Sequence, residues 1–561
     1  MKLVKSAYRA LDLLEILSNS SEGLSFTEIM NDMQVARSTA HELLQTLVAR
    51  KYIHYHSIAK KYILGSRVLS LGAHYMRHSP YIQKAYQIMG QLVEEFGEKV
   101  KIGVLSGSSL VMIKQEGGTT SPNAHDLDAI QLPCHATSMG KALLCNRTKD
   151  EVKALWEAAP FESFTPKSMS SWLELWREIQ EVSAVGLAFE AEEHEKGIYS
   201  MAVPIMDEEG EVIAAVAMYM DSGKMSYNRL REAAFRMVEL ALQANEEGYV
   251  KKIDAGKKTI YFSIPNLSSQ KSIEYLQVFE KECAHKEMGL LVTNCHDDEW
   301  KQQLYLEMCL VRQVPDSVVI VPVNAINSDV IFRMAAQHEI PALCFQRPSR
   351  SRYVDYYVGG DGFQQGVMQM QAVAERLNGR GKVLILEGDP YNDNARNIVL
   401  GNMHVLKQHP RMQLVLSIPV LFWSKEEAKG IIAEMLEKDF KFDAILTGTD
   451  HMAEGVIEEL RKHKLNGKIF VVGGDGDESA VRLIKGREQY ATVFQYPSDA
   501  ARQAVRVAIA MANKEPLPSE MVKKGLMHDY PGKEVQALEV PFGLIDASNI
   551  AELENYWKMR G

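Results

Sequence analysis

The chain has 561 residues, 46% hydrophobic and 24% charged, with a formal net charge of −10, a composition typical of globular chains and a length greater than one hydrophobic core supports. Charged residues interrupt every apolar run before the ~18 residues that a membrane span needs, so no membrane segment is expected. The six cysteines form no CxxC pair and read as reduced thiols, and Asp12 and Glu15 fall where a signal peptide would be uncharged, so a cytoplasmic location is expected.

Charge is unevenly placed. Residues 1–67 carry nine Lys/Arg against six Asp/Glu, a surplus of +3, and the remainder carries −13. Any DNA contact is therefore expected near the N-terminus. Residues 7–18 place Ala7, Ala10, Leu11, Leu14 and Leu17 at helical spacing. Ser25-Phe-Thr-Glu28 has the form of a capping box, which opens a second helix running to about Met33. A turn at Gln34 and Val35 leads into a third helix with Ala40, Leu43, Leu44 and Leu47 as its apolar stripe. After it, YIHYHSIAKKYIL alternates about a turn that holds Lys60 and Lys61, as a hairpin wing would.

Two helices joined by a tight turn, the second with short polar side chains at its start, suit insertion into a major groove. The candidate DNA contacts are Arg37, Ser38, Thr39, His41 and Gln45 on that helix, with Lys60 and Lys61 on phosphate. A plain three-helix unit with a solvated polar face is the alternative. The strings GLSFTEI, ARSTAHELLQTLVARKYI and KKYILGSRVLSLG resemble the winged helix-turn-helix of the IclR family of bacterial regulators, which implies a DNA-binding domain over residues 1–68. Glu42 departs from the family, which often has a basic residue there.

Residues 69–250 alternate helical stretches with the strand-like runs KIGVLSG, SLVMIKQ, GIYSMAVPIMD and EVIAAVAMYMD, an α/β domain. Through LPCHATSMGKALL and GLAFEAEEHEKGIYSMAVPIMD it resembles the GAF-like effector domain of the same family. Ser200, Ala217, Tyr219, Ala129 and Gln131 depart from the family's ligand positions. A tyrosine at 219 would fill a pocket built for a small carboxylate, so this domain is expected to serve association rather than ligand binding. The helical stretch from about Asn228 to Val250 is the expected transmitter. Cys134, His135 and Cys145 do not have metal-ligand spacing, so core packing is the reading preferred and no metal is expected.

A polar linker, residues 251–258, precedes a regular βαβα series over 259–561. TIYFSI, GLLVTN, SVVIVPV, PALCFQ, YYVGGD, KVLILEG, AILTGTD and IFVVGGD are short apolar runs of buried parallel-strand type, which implies two doubly wound lobes. In such sheets ligands bind beyond the carboxyl ends of the strands. Polar side chains gather there: Asn266, Lys271, Gln346, Arg347, Asp361, Asn394, Thr449, Asp475 and Gln495. Planar groups of this kind can bond vicinal hydroxyls, and Trp423 is the candidate aromatic face beneath a sugar ring. Each residue could instead be a loop or helix cap. The series resembles the type I periplasmic sugar-binding proteins, most closely the xylose-binding member, through GDPYNDNARNIVLGNMHVL and VPFGLIDASNI. Gln346 and Thr449 depart from it, where Asp and Asn are usual.

Phosphate loops, HExxH and a Ser/His/acid order are absent, which argues against an enzyme, and no cofactor is implied. The reading is a multidomain transcriptional regulator: a winged helix-turn-helix, a GAF-like α/β domain and a two-lobed periplasmic-binding-protein fold. It is expected to bind a double-stranded DNA operator as a homodimer or homotetramer, controlled by a sugar effector, a pentose such as D-xylose. A sugar phosphate as effector and a transport receptor are the competing readings.

Overall fold

The computed structural model describes residues 4–20, 22–107, 109–118, 131–156, 161–169, 171–245, 257–267, 270–311, 315–526 and 534–558. Ala129 and linker residues 251–256 lie outside the described residues. Among those described, no helix is long and apolar enough to cross a membrane.

The N-terminal unit packs helices Lys5–Ser18, Phe26–Met33 and Arg37–Ala49 over the core residues Leu13, Leu17, Ile29, Leu44, Leu47 and Ile53. Ser25 and Glu28 form the expected capping box, which satisfies two exposed amides at the start of the second helix. That helix ends on Gln34 in the left-handed region, φ 50°, and this sharp cap turns the chain into the third helix. Strands Ile53–His56 and Lys61–Leu64 pair antiparallel to form the wing, and Leu24–Ser25 adds a third strand. The unit is a winged helix-turn-helix. Helix Ser66–His78 begins directly after Gly65 and runs across the boundary expected at 68/69, so the connection between the first two units is helical.

The middle unit is one antiparallel six-stranded sheet in the order Gln131–Pro133, Ser109–Glu116, Lys99–Ser106, Val212–Asp221, Ile198–Met206, Ala188–Ala191. Helices Pro80–Phe96 and Tyr227–Ala244 pack together against it, and Ser138–Leu144 and Trp172–Val185 pack as a second pair. This is the GAF-like arrangement. Its core is continuous with that of the next unit, because Leu304, Tyr305 and Met308 of helix Glu299–Val311 join the same apolar cluster.

The C-terminal half is two lobes. In the first, parallel strands run in the order Gly289–Asn294, Thr259–Ile264, Ser317–Ile320, Ala342–Phe345, Tyr356–Gly359, Val535–Glu539, with Val522–Lys524 antiparallel at the edge. In the second the order is Arg411–Ile418, Arg380–Leu386, Ala444–Thr447, Phe470–Gly474, Ala491–Phe494, with Gly543–Asp546 antiparallel. The chain passes between lobes after Gly359, after Phe494 and after Glu539. Strand order and crossovers make this the two-lobed periplasmic-binding-protein fold, with the strand ends that carry the polar loops facing the interlobe cleft.

Candidate functional site

On the third helix of the first unit, Ala40 and Leu44 are buried while Arg37, Ser38, His41 and Gln45 are exposed and Thr39 is half-buried. The Arg37 guanidinium stands 5.9 Å above the Phe26 ring and the His41 ring meets the same phenyl edge-on, so both are steadied from beneath without losing their polar ends. Lys60 is exposed at the wing turn with φ 54°. Lys61 is half-buried and paired with Glu22 at 3.3 Å, which leaves it a weaker phosphate contact than Lys60. The two candidate surfaces, helix and wing tip, are what groove insertion with backbone clamping requires.

The middle unit holds a buried polar cluster at the positions singled out above. Ser200 donates to Glu190 Oε2 at 2.5 Å and is bonded to Ser138 Oγ at 2.6 Å. Burial pushes the Glu190 carboxyl up to about 7. The Tyr219 hydroxyl is buried beside it and Lys101 Nζ lies 4.4 Å from the Tyr219 ring centre. Cys134 and Cys145 are core residues and His135 sits among Trp156, Phe161 and Phe164 with its Nε2 on the Glu162 carbonyl.

The interlobe cleft gathers most of the polar residues expected there, though not all in the same role. Arg347 follows strand Ala342–Phe345 and donates to the Pro322 carbonyl at 3.2 Å. Burial draws its pKa down, opposed by the charges of Asp297, Asp389 and Asp475, so three carboxylates from both lobes act on one guanidinium, with the Tyr275 phenol close by. Lys271 pairs with Asp475 across the lobes at 3.0 Å. Asn266 donates to Asp297 at 2.6 Å, and Asn394 donates to the Gln346 carbonyl at 3.0 Å. Asp297, Asp389 and Tyr275 escape the sequence reading. Two of them follow strands directly, in NCHDD and LEGDP, which is the signal that could have found them.

Trp423 lies across the ends of two central strands. A Cβ on Gly388 would come within 2.0 Å of its ring and one on Gly448 within 2.3 Å, so these glycines let the indole rest on bare backbone. Trp423 (φ 55°), Gln346 (φ 61°), Asp297 (φ 56°) and Asp475 (φ 87°) all occupy the left-handed region.

Three candidates are otherwise engaged. Asp361 caps helix Gly362–Arg376 and pairs with Lys524 at 2.9 Å, and Thr449 caps helix Asp450–Lys462. Gln495 is buried, accepts from Gln346 Nε2 and donates to the Val540 carbonyl, which places it at the hinge. Asp450 is wholly buried with Gly476 N, Asp477 N, Gln489 and Thr492 as donors, and so shapes the Asp475 loop from behind.

The family model of the IclR helix-turn-helix domain matches residues 6–57, that of the C-terminal part of the bacterial transcriptional regulator IclR matches 73–245, and that of the periplasmic binding protein domain matches 260–516. The HTH-type transcriptional regulator XynR of Escherichia coli (strain K12) is 31% identical over 218 residues, which are 39% of this chain and 86% of that one. The D-xylose-binding periplasmic protein of the same strain is 25% identical over 304 residues, 53% of this chain and 90% of that one. Among solved structures, an ABC transporter solute binding protein from Bacillus halodurans C-125 with bound myo-inositol aligns with 54% of this chain and 99% of its own at 23% identity, TM-score 0.48.

Proposed function

The chain belongs to the IclR family of bacterial transcriptional regulators, and from that membership we propose that it is a cytoplasmic regulator of sugar uptake or catabolism genes whose effector is a neutral pentose, D-xylose first, bound between the C-terminal lobes. The observation that carries the choice of ligand is the charge of the cleft. Asp297, Asp389 and Asp475 act on Arg347, and Asp475 also pairs with Lys271. Such a site has spare acceptors for hydroxyls and repels a phosphate, which argues against the sugar-phosphate reading. Similarity to a protein named for D-xylose supports the pentose.

In this reading Arg347, Asn394, Asn266 and Asp475 bond hydroxyls, Trp423 lies against the ring, and Gln346 and Gln495 set the hinge. Closure of the lobes on sugar favours one of two conformers that differ in DNA affinity. Arg37, Ser38, Thr39, His41 and Gln45 read bases, and Lys60 holds the backbone. Reading two half-sites requires at least a dimer. The exposed Leu69, Leu71 and Tyr75 on helix Ser66–His78, a helix with no buried residue, support association through that segment. A helix-turn-helix has no use in a transport receptor, which disfavours that alternative.

Calorimetric titration of the full chain with D-xylose, ribose, arabinose, glucose and pentose phosphates tests the ligand. Heat from a free aldose and none from its phosphate is the expected result, and the reverse would overturn the neutral-sugar reading.

A further inference from the structure

Two neighbouring residues in one turn face two different sites. After strand Gly289–Asn294 the chain makes a short turn, residues 295–298, before helix Glu299–Val311. His296 and Asp297 both hold left-handed backbone, φ 50° and 56°, and their side chains engage different units. Asp297 points to the cleft, where it accepts from Asn266 and acts on Arg347. His296 turns away and meets Glu178 of the middle unit, Nε2 to Oε1, at 2.7 Å.

The same turn and its helix make the further ties between the units. Tyr199 of the middle unit donates to Asp298 Oδ2 at 2.7 Å, and Asp298 Oδ1 accepts from the Lys301 amide at 2.8 Å. Lys301, 2% exposed, bridges Glu178 at 2.7 Å and Glu181 at 3.3 Å. Behind them Lys141, fully buried, reaches Glu178 at 3.4 Å, Glu193, and the Phe189 carbonyl at 2.9 Å. Lys141 belongs to helix Ser138–Leu144, and Ser138 of that helix binds Glu190 and Ser200. An ion network thus runs from the turn at the sugar cleft to the centre of the middle unit. Buried ion pairs of this kind add little net stability over apolar contacts, and their geometry has few alternatives, which suits a two-position element. Helix Tyr227–Ala244 falls in the stretch 228–250 expected to be the transmitter, of which residues 246–250 lie outside the described residues, and it meets the same helix through Tyr227 on Trp300 and Glu307 and through Arg231 on Glu307.

We infer that the turn His296–Asp298 is the relay by which sugar binding reaches the DNA-binding half: occupancy of the cleft repositions Asp297, and His296 and Asp298 carry that shift to Glu178 and Tyr199. The inference rests on the cleft being a sugar site. By linkage, DNA must alter sugar affinity by the same factor as sugar alters DNA affinity.

Removing Lys301 would strand buried carboxylates and unfold the interface, so the test uses His296→Gln and Tyr199→Phe, singly and together, in the full chain. The DNA probe is a duplex selected by the wild-type protein from a random-sequence pool, titrated by anisotropy with and without D-xylose, and D-xylose affinity is measured separately by calorimetry. Wild type is expected to change its DNA affinity about fivefold or more with D-xylose, and the double variant by less than about twofold while its sugar affinity stays within about threefold. A double variant that binds sugar and keeps the wild-type shift overturns the relay alone, as does a wild type that binds sugar with no shift. A wild type that binds none of the aldoses overturns the reading of the cleft and the relay with it.

Discussion

Gln346 donates from Nε2 to Oε1 of Gln495 across 2.9 Å, and Gln495 in turn donates to the Val540 carbonyl at 2.7 Å. The Val540 amide then donates to the Gly359 carbonyl at 3.0 Å, so one chain of bonds ties all three interlobe crossovers. Gln495→Ala would leave the Gln346 amide and the Val540 carbonyl buried without these partners, at about 1 to 3 kcal/mol. In differential scanning calorimetry the transition of the C-terminal half should fall by at least about 2 °C. An unchanged midpoint would remove the hinge role.

Because Asp475 serves both as a hydroxyl acceptor and as the counter-ion of Lys271, its removal separates the two ligand classes. Asp475→Ala should weaken D-xylose at least about tenfold, the loss of about 1.5 kcal/mol or more expected for a charged hydrogen bond. The same change frees the Lys271 ammonium, so affinity for a pentose phosphate should hold or rise. Thermal midpoints with each ligand at millimolar concentration report both effects. A variant that loses both ligands equally would mean that Asp475 supports the loop without touching sugar.

The apolar runs foretold eight strands of the two lobes, since a strand buried on both faces must be hydrophobic throughout, but not Arg411–Ile418, a more exposed edge strand, nor Val522–Lys524, Val535–Glu539 and Gly543–Asp546. Short edges were harder: Ala188–Ala191 carries Glu190 and looks like loop, and Gln131–Pro133 has too few residues to show a period. For the cleft, Arg347 and Asp475 were legible as polar residues at strand ends, whereas Tyr275 lies within a helix where an aromatic reads as core. Glu178 and Glu181 had no signal at all. In WLELWREIQEVSAV they look like the wet face of an amphipathic helix, yet each is 1% exposed, because another unit covers that face with Lys301. A pattern along one helix cannot report a partner more than a hundred residues away.

At the DNA end, the contrast between Arg37 and the wing lysines gives separate outcomes. Arg37→Ala should cost about 1 to 3 kcal/mol on the selected duplex and little on random DNA. Lys60→Ala should weaken all duplexes alike and reduce the salt slope by about one. Lys61→Ala should do less than Lys60→Ala, since Glu22 already holds its ammonium. Gel-shift titrations at two salt concentrations measure all three, and an Arg37 variant with wild-type affinity would displace the helix from the groove.

The middle unit should lose stability as pH rises through neutrality. Burial, with Glu178 close by, pushes the Glu181 carboxyl up to about 8, and burial pushes Glu190 up to about 7. Both values lie above the ordinary carboxyl range, so between about pH 4.5 and 8 the folded state holds protons that the unfolded chain has released. With more protons bound when folded, the free energy of unfolding falls as pH increases across that window. Glu178 moves the opposite way, held well below its usual range against burial by Lys301, Lys141 and His296, and its contribution is already complete above the ordinary carboxyl range. His194, held below its ordinary value of 6.5 by burial, works the other way only up to about that pH, so above it the slope carries the sign of Glu181 and Glu190. Glu181→Gln keeps the oxygen that accepts from the Asn294 amide and removes the titration. Thermal midpoints followed from about pH 6.5 to 8.5 should decline in wild type and decline less in the Glu181→Gln variant. A flat wild-type profile, or parallel slopes in the two proteins, would show that Glu181 is ionised at neutral pH and that Lys301 neutralises it.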